Sequence, residues 1–188
     1  CTDYTIGYDT AMNTVVEMVD KIRDTAQSHD RCSIVEVMGR GAGYIALNTG
    51  IAVGAIAVVI PEKTITTDEI VERIEKSRAS GKQHYIIVVS EAIGNSEALA
   101  KEIQERTGIE SRATILGHVQ RGGSPTLRDR VAASRMGAYA VDLLEKGIGN
   151  RVVGMNRDEV IDVDIQEALS MKKPFPIDLY ELSNKISF

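Results

Sequence analysis

Residues 111–125 read S-R-A-T-I-L-G-H-V-Q-R-G-G-S-P, a β-branched run that passes directly into a loop holding a histidine, an arginine and three glycines. A strand that ends in glycines is where an open α/β sheet presents backbone and side chains to a ligand. Gly117, Gly122 and Gly123 permit tight turning and close approach, while His118 and Arg121 bring donors and positive charge to one spot. A small anion suits such a loop; a turn with a solvated arginine is the alternative.

Outward from this loop the chain alternates between two periods. Residues 10–27 place Met12, Val15, Val16, Met18, Val19 and Ile22 at helical spacing, and 32–37 read as a buried strand. Residues 38–43, M-G-R-G-A-G, form a strand-to-helix turn whose backbone N–H groups favour anions or hydroxyls; a close helix-strand contact is the plain reading. A helix follows over 44–49, then a strand over 55–60 that Pro61 ends. Thr67 opens a capped helix to Ser80, stopped by Gly81, and 85–89 form a third strand with Glu91 just beyond its carboxyl end. A helix over 97–106 leads to a fourth strand over 111–115, which carries Arg112. Beyond Pro125 the pattern predicts a long helix over 127–145, a strand over 151–155 and short helices over 165–170 and 179–185. Strands and helices alternating at these lengths predict a parallel or mostly parallel α/β sheet with helices on both faces.

With 188 residues, 43% of them hydrophobic, the chain is long enough to bury a core. A net charge of -5 argues against nucleic acid and anionic membrane as partners, because both select basic surfaces. The longest apolar run, 51–61, is too short for a spanning helix, which needs about 20 residues. Cys1 and Cys32 form no paired framework, so reduced thiols in the cytoplasm are expected. His29, His84 and His118 stand in unrelated contexts, and no dedicated metal site is expected.

The string 116–125, with V-M-G-R at 37–40 and T-I-G-Y-D-T-A at 5–11, closely resembles the C-terminal half of bacterial ATP-dependent 6-phosphofructokinase. The resemblance runs nearly end to end. That family also has a nucleotide-binding region and a catalytic T-I-D-N-D string, neither of which is in this sequence, so the chain is read as a fragment. The implied fold is a Rossmann-like three-layer α/β sandwich. The implied domains are 1–118 for fructose 6-phosphate, 119–170 as part of the nucleotide-binding domain, and 171–188 as a tail returning to the sugar domain.

The resemblance also implies roles. His118 and Arg121 would hold the 6-phosphate, with Arg31 and Arg112 reaching it from a neighbouring subunit of a homotetramer. Glu91 would meet the sugar hydroxyls together with the Met38-Gly39 backbone, and Arg40 would lie toward the phosphate in flight. Taken singly, Arg31 reads as a helix-end cation, Arg112 as a strand-surface charge, Arg40 as a turn arginine and Glu91 as a solvated acid. ATP and Mg²⁺ are expected in the intact enzyme, with no residues for them in this chain. Arg23, Gly54, Lys82, Gln83 and His84 match an effector pocket. Ile56 replaces an acidic residue associated there with Mg²⁺, and Ser80 a basic one, so weakened activation by ADP is expected. Pyrophosphate as donor, or a non-catalytic sugar-phosphate-binding module, are the rival readings.

Overall fold

A computed structural model describes residues 1–26 and 31–187. The expected end of the first helix, residues 27–30, lies outside them. The elements are α1 (Tyr8–Ala26), β1 (Arg31–Val37), α2 (Tyr44–Ala52), β2 (Ala57–Val59), α3 (Thr67–Ala79), β3 (His84–Ser90), α4 (Ser96–Thr107) and β4 (Glu110–Ile115). A 3₁₀ turn (Gly117–Arg121) follows, then α5 (Leu127–Glu145), β5 (Arg151–Asn156), β6 (Glu159–Asp164), α6 (Ile165–Ser170) and α7 (Ile177–Ile186). The chain divides into two compact units. One comprises Cys1–Thr10 with Gly123–Phe175, the other Ala11–Gly122 with Pro176–Phe188.

The larger unit is built on a four-stranded sheet in the order β2-β3-β1-β4, parallel at every pairing. Its strands are apolar on both sides, the pattern of a sheet covered on both faces. Cys32, Ile34, Tyr85, Ile87 and Val89 face a core shared with Ile70 and Ile74 of α3 and Ala100 and Ile103 of α4. The alternate residues Val35, Val37, Ile86 and Val88 are buried as well. Burial pushes the Cys32 thiol up to about 12, so it packs as an apolar side chain and stays protonated.

Turn chemistry sets the element ends. The Thr66 hydroxyl accepts from the Glu69 N–H while the Glu69 carboxylate accepts from the Thr66 N–H, a reciprocal cap that starts α3 one residue after Thr66. Gly108, in the left-handed region at φ +70°, ends α4 so that β4 can begin at Glu110.

The smaller unit corrects the sequence reading in one place. Residues 151–155 are a strand as expected, but its partner is β6, which the reading missed, in an antiparallel hairpin separate from the parallel sheet. The turn residues Arg157 and Asp158 have φ of 48° and 66°, the two-residue geometry normally announced by Asn-Gly or Asp-Gly. Without that glycine the hairpin had no visible signal. Tyr4, Ala132 and Met155 form this unit's buried cluster, with Tyr8 and Met136 against it.

Candidate functional site

In the larger unit β3, β1 and β4 are adjacent, and their carboxyl ends lie side by side because Val37 is in register with Ser90 and Glu36 with Ile115. Two backbone bonds extend that register past the strands: Glu91 N–H donates to Val37 C=O at 2.8 Å, and Leu116 N–H to Glu36 C=O at 3.1 Å. The segments holding Met38 to Arg40, Glu91 and His118 to Arg121 therefore leave neighbouring strands at the same edge. This is the edge where open parallel sheets bind ligands.

Glu91 ties two of these segments together. Its Oε1 accepts from the N–H of Gly39 at 2.9 Å and of Arg40 at 2.8 Å. These two bonds, with a smaller contribution from the Arg121 charge, hold the carboxyl below the usual carboxylate range. Arg40 sits at φ 49°, a conformation disfavoured for a side chain other than glycine, and its bond to Glu91 helps hold it there. At Gly39 a Cβ would collide with the Ala42 carbonyl oxygen, so only glycine fits the turn.

The third segment is a 3₁₀ turn, in which residues three apart share an edge. His118 and Arg121 are so spaced, and both are exposed. Gln120 between them is 2% exposed and clamps Met38: its Oε1 accepts from the Met38 N–H at 2.8 Å, and its amide donates to the Met38 carbonyl at 3.2 Å. Sequence reasoning passed over Gln120, because a glutamine inside a charged loop reads as solvated until its partner strand end is known.

One expectation is corrected here. The glycine-rich turn is expected to offer backbone N–H groups to an anion, but those of Met38, Gly39, Arg40, Ala42 and Gly43 already have acceptors within the chain. Gln120 takes the N–H of Met38, Glu91 those of Gly39 and Arg40, and the Glu62 carboxylate that of Gly43 at 2.9 and 3.1 Å. The positive charge at this edge therefore comes from side chains.

Arg31 and Arg112 are elsewhere. Arg31 opens β1 and Arg112 lies near the start of β4, at the amino ends of strands whose carboxyl ends carry the loops. Six residue steps of β1 separate Arg31 from Val37, roughly 20 Å at about 3.3 Å per residue. Within one chain no hydrogen bond or ion pair joins these arginines to His118 or Arg121 among the described residues. They are joined to each other, through Glu110, which sequence reasoning also missed. Arg31 Nη2 lies 3.0 Å from Glu110 Oε2, and Arg112 Nη2 2.6 Å from Oε1. Bonds from Arg31 and then from Arg112 hold the Glu110 carboxyl below its ordinary range.

The candidate effector residues gather at the amino ends of β2 and β3. Arg23 donates to the Val53 carbonyl, which places its guanidinium beside Gly54 at φ +62°. Burial, and next the Arg23 charge, depress the Lys82 ammonium. His84 begins β3, and its Nδ1 is buried with no hydrogen-bond partner among the described residues, while Gln83 is exposed. Ile56 is fully buried in the core cluster, so an acid there would have to be accommodated beside packed aliphatic side chains. Ser80 caps its own helix end by donating to the Ser77 carbonyl.

Among the described residues no group of three or more His, Cys, Asp or Glu is placed to hold a metal ion, and no helix is long and apolar enough to cross a membrane. The family model for phosphofructokinase matches residues 1–144. Over 186 residues the chain is 55% identical to the ATP-dependent 6-phosphofructokinase 1 of Clostridium perfringens, covering 99% of this chain and 58% of that protein. It is 52% identical to the ATP-dependent 6-phosphofructokinase of Brevibacillus brevis over 187 residues, covering 59% of it. The chain thus spans less than two thirds of the length of these relatives. Among solved structures, phosphofructokinase from Saccharomyces cerevisiae superposes on 99% of this chain with a TM-score of 0.86 and 31% identity, the match spanning 27% of that longer chain. A pyrophosphate-dependent phosphofructokinase from Marinobacter aquaeolei shares the fold, with a TM-score of 0.76 at 23% identity over 93% of this chain and 49% of its own. Matched along most of its length by the family model, and in fold by both of these structures, the chain belongs to the phosphofructokinase family.

Proposed function

We propose that this chain supplies the fructose 6-phosphate side of an ATP-dependent 6-phosphofructokinase, which transfers the γ-phosphate of ATP to the sugar 1-hydroxyl and forms fructose 1,6-bisphosphate in cytoplasmic glycolysis. The observation that carries the reading is the meeting of Arg40, Glu91, His118 and Arg121 at one sheet edge, two guanidiniums and an imidazole as donors and one carboxylate as acceptor. A phosphate monoester carries about -1.5 to -2 charge at neutral pH, and an arginine fork with an imidazole donor beside it is matched to that charge. Glu91, with Oε1 committed to the backbone, offers Oε2 to sugar hydroxyls, and Met38 and Gly39 form the floor beside it. Arg40 stabilises charge that spreads over the oxygens of a transferring phosphoryl group. ATP bound with Mg²⁺ supplies that group. The general base and the residues for ATP and Mg²⁺ are assigned to the part of the relatives' length outside this chain.

Arg31 and Arg112, held by Glu110 within their own chain, serve the sugar phosphate of an adjacent subunit, and the assembly is a homotetramer. In place of the implied 1–118 with 171–188, the larger unit, 11–122 with 176–188, is assigned as the sugar-phosphate domain, and the smaller unit, 1–10 with 123–175 in place of 119–170, as the part of this chain that joins the nucleotide-binding domain. Arg23, Gly54, Lys82, Gln83 and His84 form a separate effector pocket.

The test uses a protein of the relatives' full length that contains this chain, assayed with ATP and with pyrophosphate. Arg121→Ala and His118→Ala are expected to raise the KM for fructose 6-phosphate by about tenfold or more, the scale of a lost charge-assisted contact. Unchanged KM in both, or turnover with pyrophosphate alone, overturns the assignment. An Arg112→Ala protein mixed with a His118→Ala protein in refolded hybrids is expected to regain part of the activity, because some sites then receive both wild-type halves.

A further inference from the structure

We propose that Glu110 is a positioning residue that gathers Arg31 and Arg112 into one preformed grip for a sugar phosphate bound by a neighbouring copy. The inference rests on the sugar-phosphate reading of those two arginines. In the parallel pairing of β1 with β4, Arg31 is in register with Glu110 and Ser33 with Arg112, so Arg31, Glu110 and Arg112 project from one face of the sheet. One carboxylate serves both cations, one oxygen each. Oε2 accepts from Arg31 Nε at 3.3 Å and Nη2 at 3.0 Å, and Oε1 accepts from Arg112 Nε at 2.7 Å, with Arg112 Nη2 at 2.6 Å.

Two guanidiniums side by side repel, and long side chains left free lose much of their order. Glu110 removes both problems. The Arg31 side chain is only 21% exposed and is set by the pair, whereas that of Arg112 is 67% exposed, so its orientation depends on the tether. The bonds to Glu110 use the Nε and Nη2 edge of each arginine and leave Nη1 of each outside them, which is the donor set an incoming phosphate would meet. Two cations and one anion leave the cluster net positive, so a dianion is still attracted. Both oxygens of the carboxylate are engaged by the arginines, so its effect belongs to binding.

The experiment measures steady-state kinetics in the full-length protein with Glu110→Gln, alongside Arg31→Ala and Arg112→Ala. Glutamine keeps the shape, but its one amide oxygen can serve a single arginine, and its NH₂ group faces the other. The expected result is a KM for fructose 6-phosphate raised about tenfold, with kcat and the KM for ATP within about twofold, as for loss of a charge-assisted positioning bond. In an Arg112→Ala background the same change should shrink to less than about twofold, since the two then act as one unit. If both arginine variants leave the sugar KM unchanged, the sugar-phosphate reading has failed. If they raise it while Glu110→Gln leaves it unchanged or lowers it, the positioning role has failed, a lowered value marking Glu110 as a competitor of the phosphate. Glu110→Asp retains both acceptor oxygens and, should the glutamine variant not fold, must lie between wild type and Arg112→Ala.

Discussion

At the scale of single residues, the site is held by side chains that bind backbone. Glu91 and Gln120 between them fix three successive N–H groups, of Met38, Gly39 and Arg40, and so set where Arg40 and the His118 to Arg121 edge stand. Because the Glu91 carboxyl is depressed on folding, its stabilisation is fully present above the ordinary carboxylate range and is lost as pH falls through the depressed value. Removing that group should flatten the acid limb. Glu91→Gln is expected to be less stable than wild type at neutral pH and to converge with it in acid, as followed by urea unfolding at a series of pH values. A difference that persists unchanged at low pH would show that the Glu91 charge contributes nothing to the fold. His118 and Arg121 were legible from their string alone. Gln120 and Glu110 were not, because what distinguishes them is a partner 82 or 79 residues away in sequence.

Among the elements, those with a period and a cap in the sequence formed as expected. α3 has both. Its Thr66–Glu69 box binds two N–H groups that would otherwise lack a partner, and the bonds from Thr66 hold the exposed Glu69 carboxyl below its usual range. Thr66→Ala should cost about 1 kcal/mol, the ordinary loss for a helix N-cap, measured as a shifted denaturation midpoint at constant slope. A midpoint within error of wild type would mean that tertiary contacts alone start the helix. The reading began α3 at Thr67 with that residue as the capping signal, whereas the capping side chain is that of Thr66. β6 went unseen because residues 159–164, E-V-I-D-V-D, alternate only weakly and follow a turn without glycine.

For the whole molecule, the division into two units predicts two separable responses. In the smaller unit Asp129 is 3% exposed and accepts from Tyr4 Oη, Thr10 Oγ1, and the N–H groups of Gly7 and Thr10 at 2.9 Å each. Burial alone would raise its carboxyl; the bonds from Thr10, Tyr4 and Gly7 outweigh that and hold it below the usual range. Asp129→Ala removes the acceptor that Tyr4, Gly7 and Thr10 share and should cost about 1 to 3 kcal/mol, the scale of a lost set of partly buried hydrogen bonds. Hydrogen exchange should then accelerate over α5 and the β5–β6 hairpin while the β1, β3 and β4 amides keep their protection. Acceleration spread evenly over both units would show a single cooperative body.

By itself the sequence determined the fold class and the neighbourhood of the candidate site. Alternating periods of about 3.6 and 2 demand an α/β sheet covered on both faces, and a glycine loop after a strand marks the ligand edge, since both signals are local. The tertiary structure alone decided which strands are neighbours, and with them that Glu91 would occupy the N–H groups expected to meet an anion. It also decided that Arg31 and Arg112 would close on Glu110 at the far end of the sheet. Strand order and register join residues distant along the chain, and no local pattern specifies which of several equally apolar strands will pair.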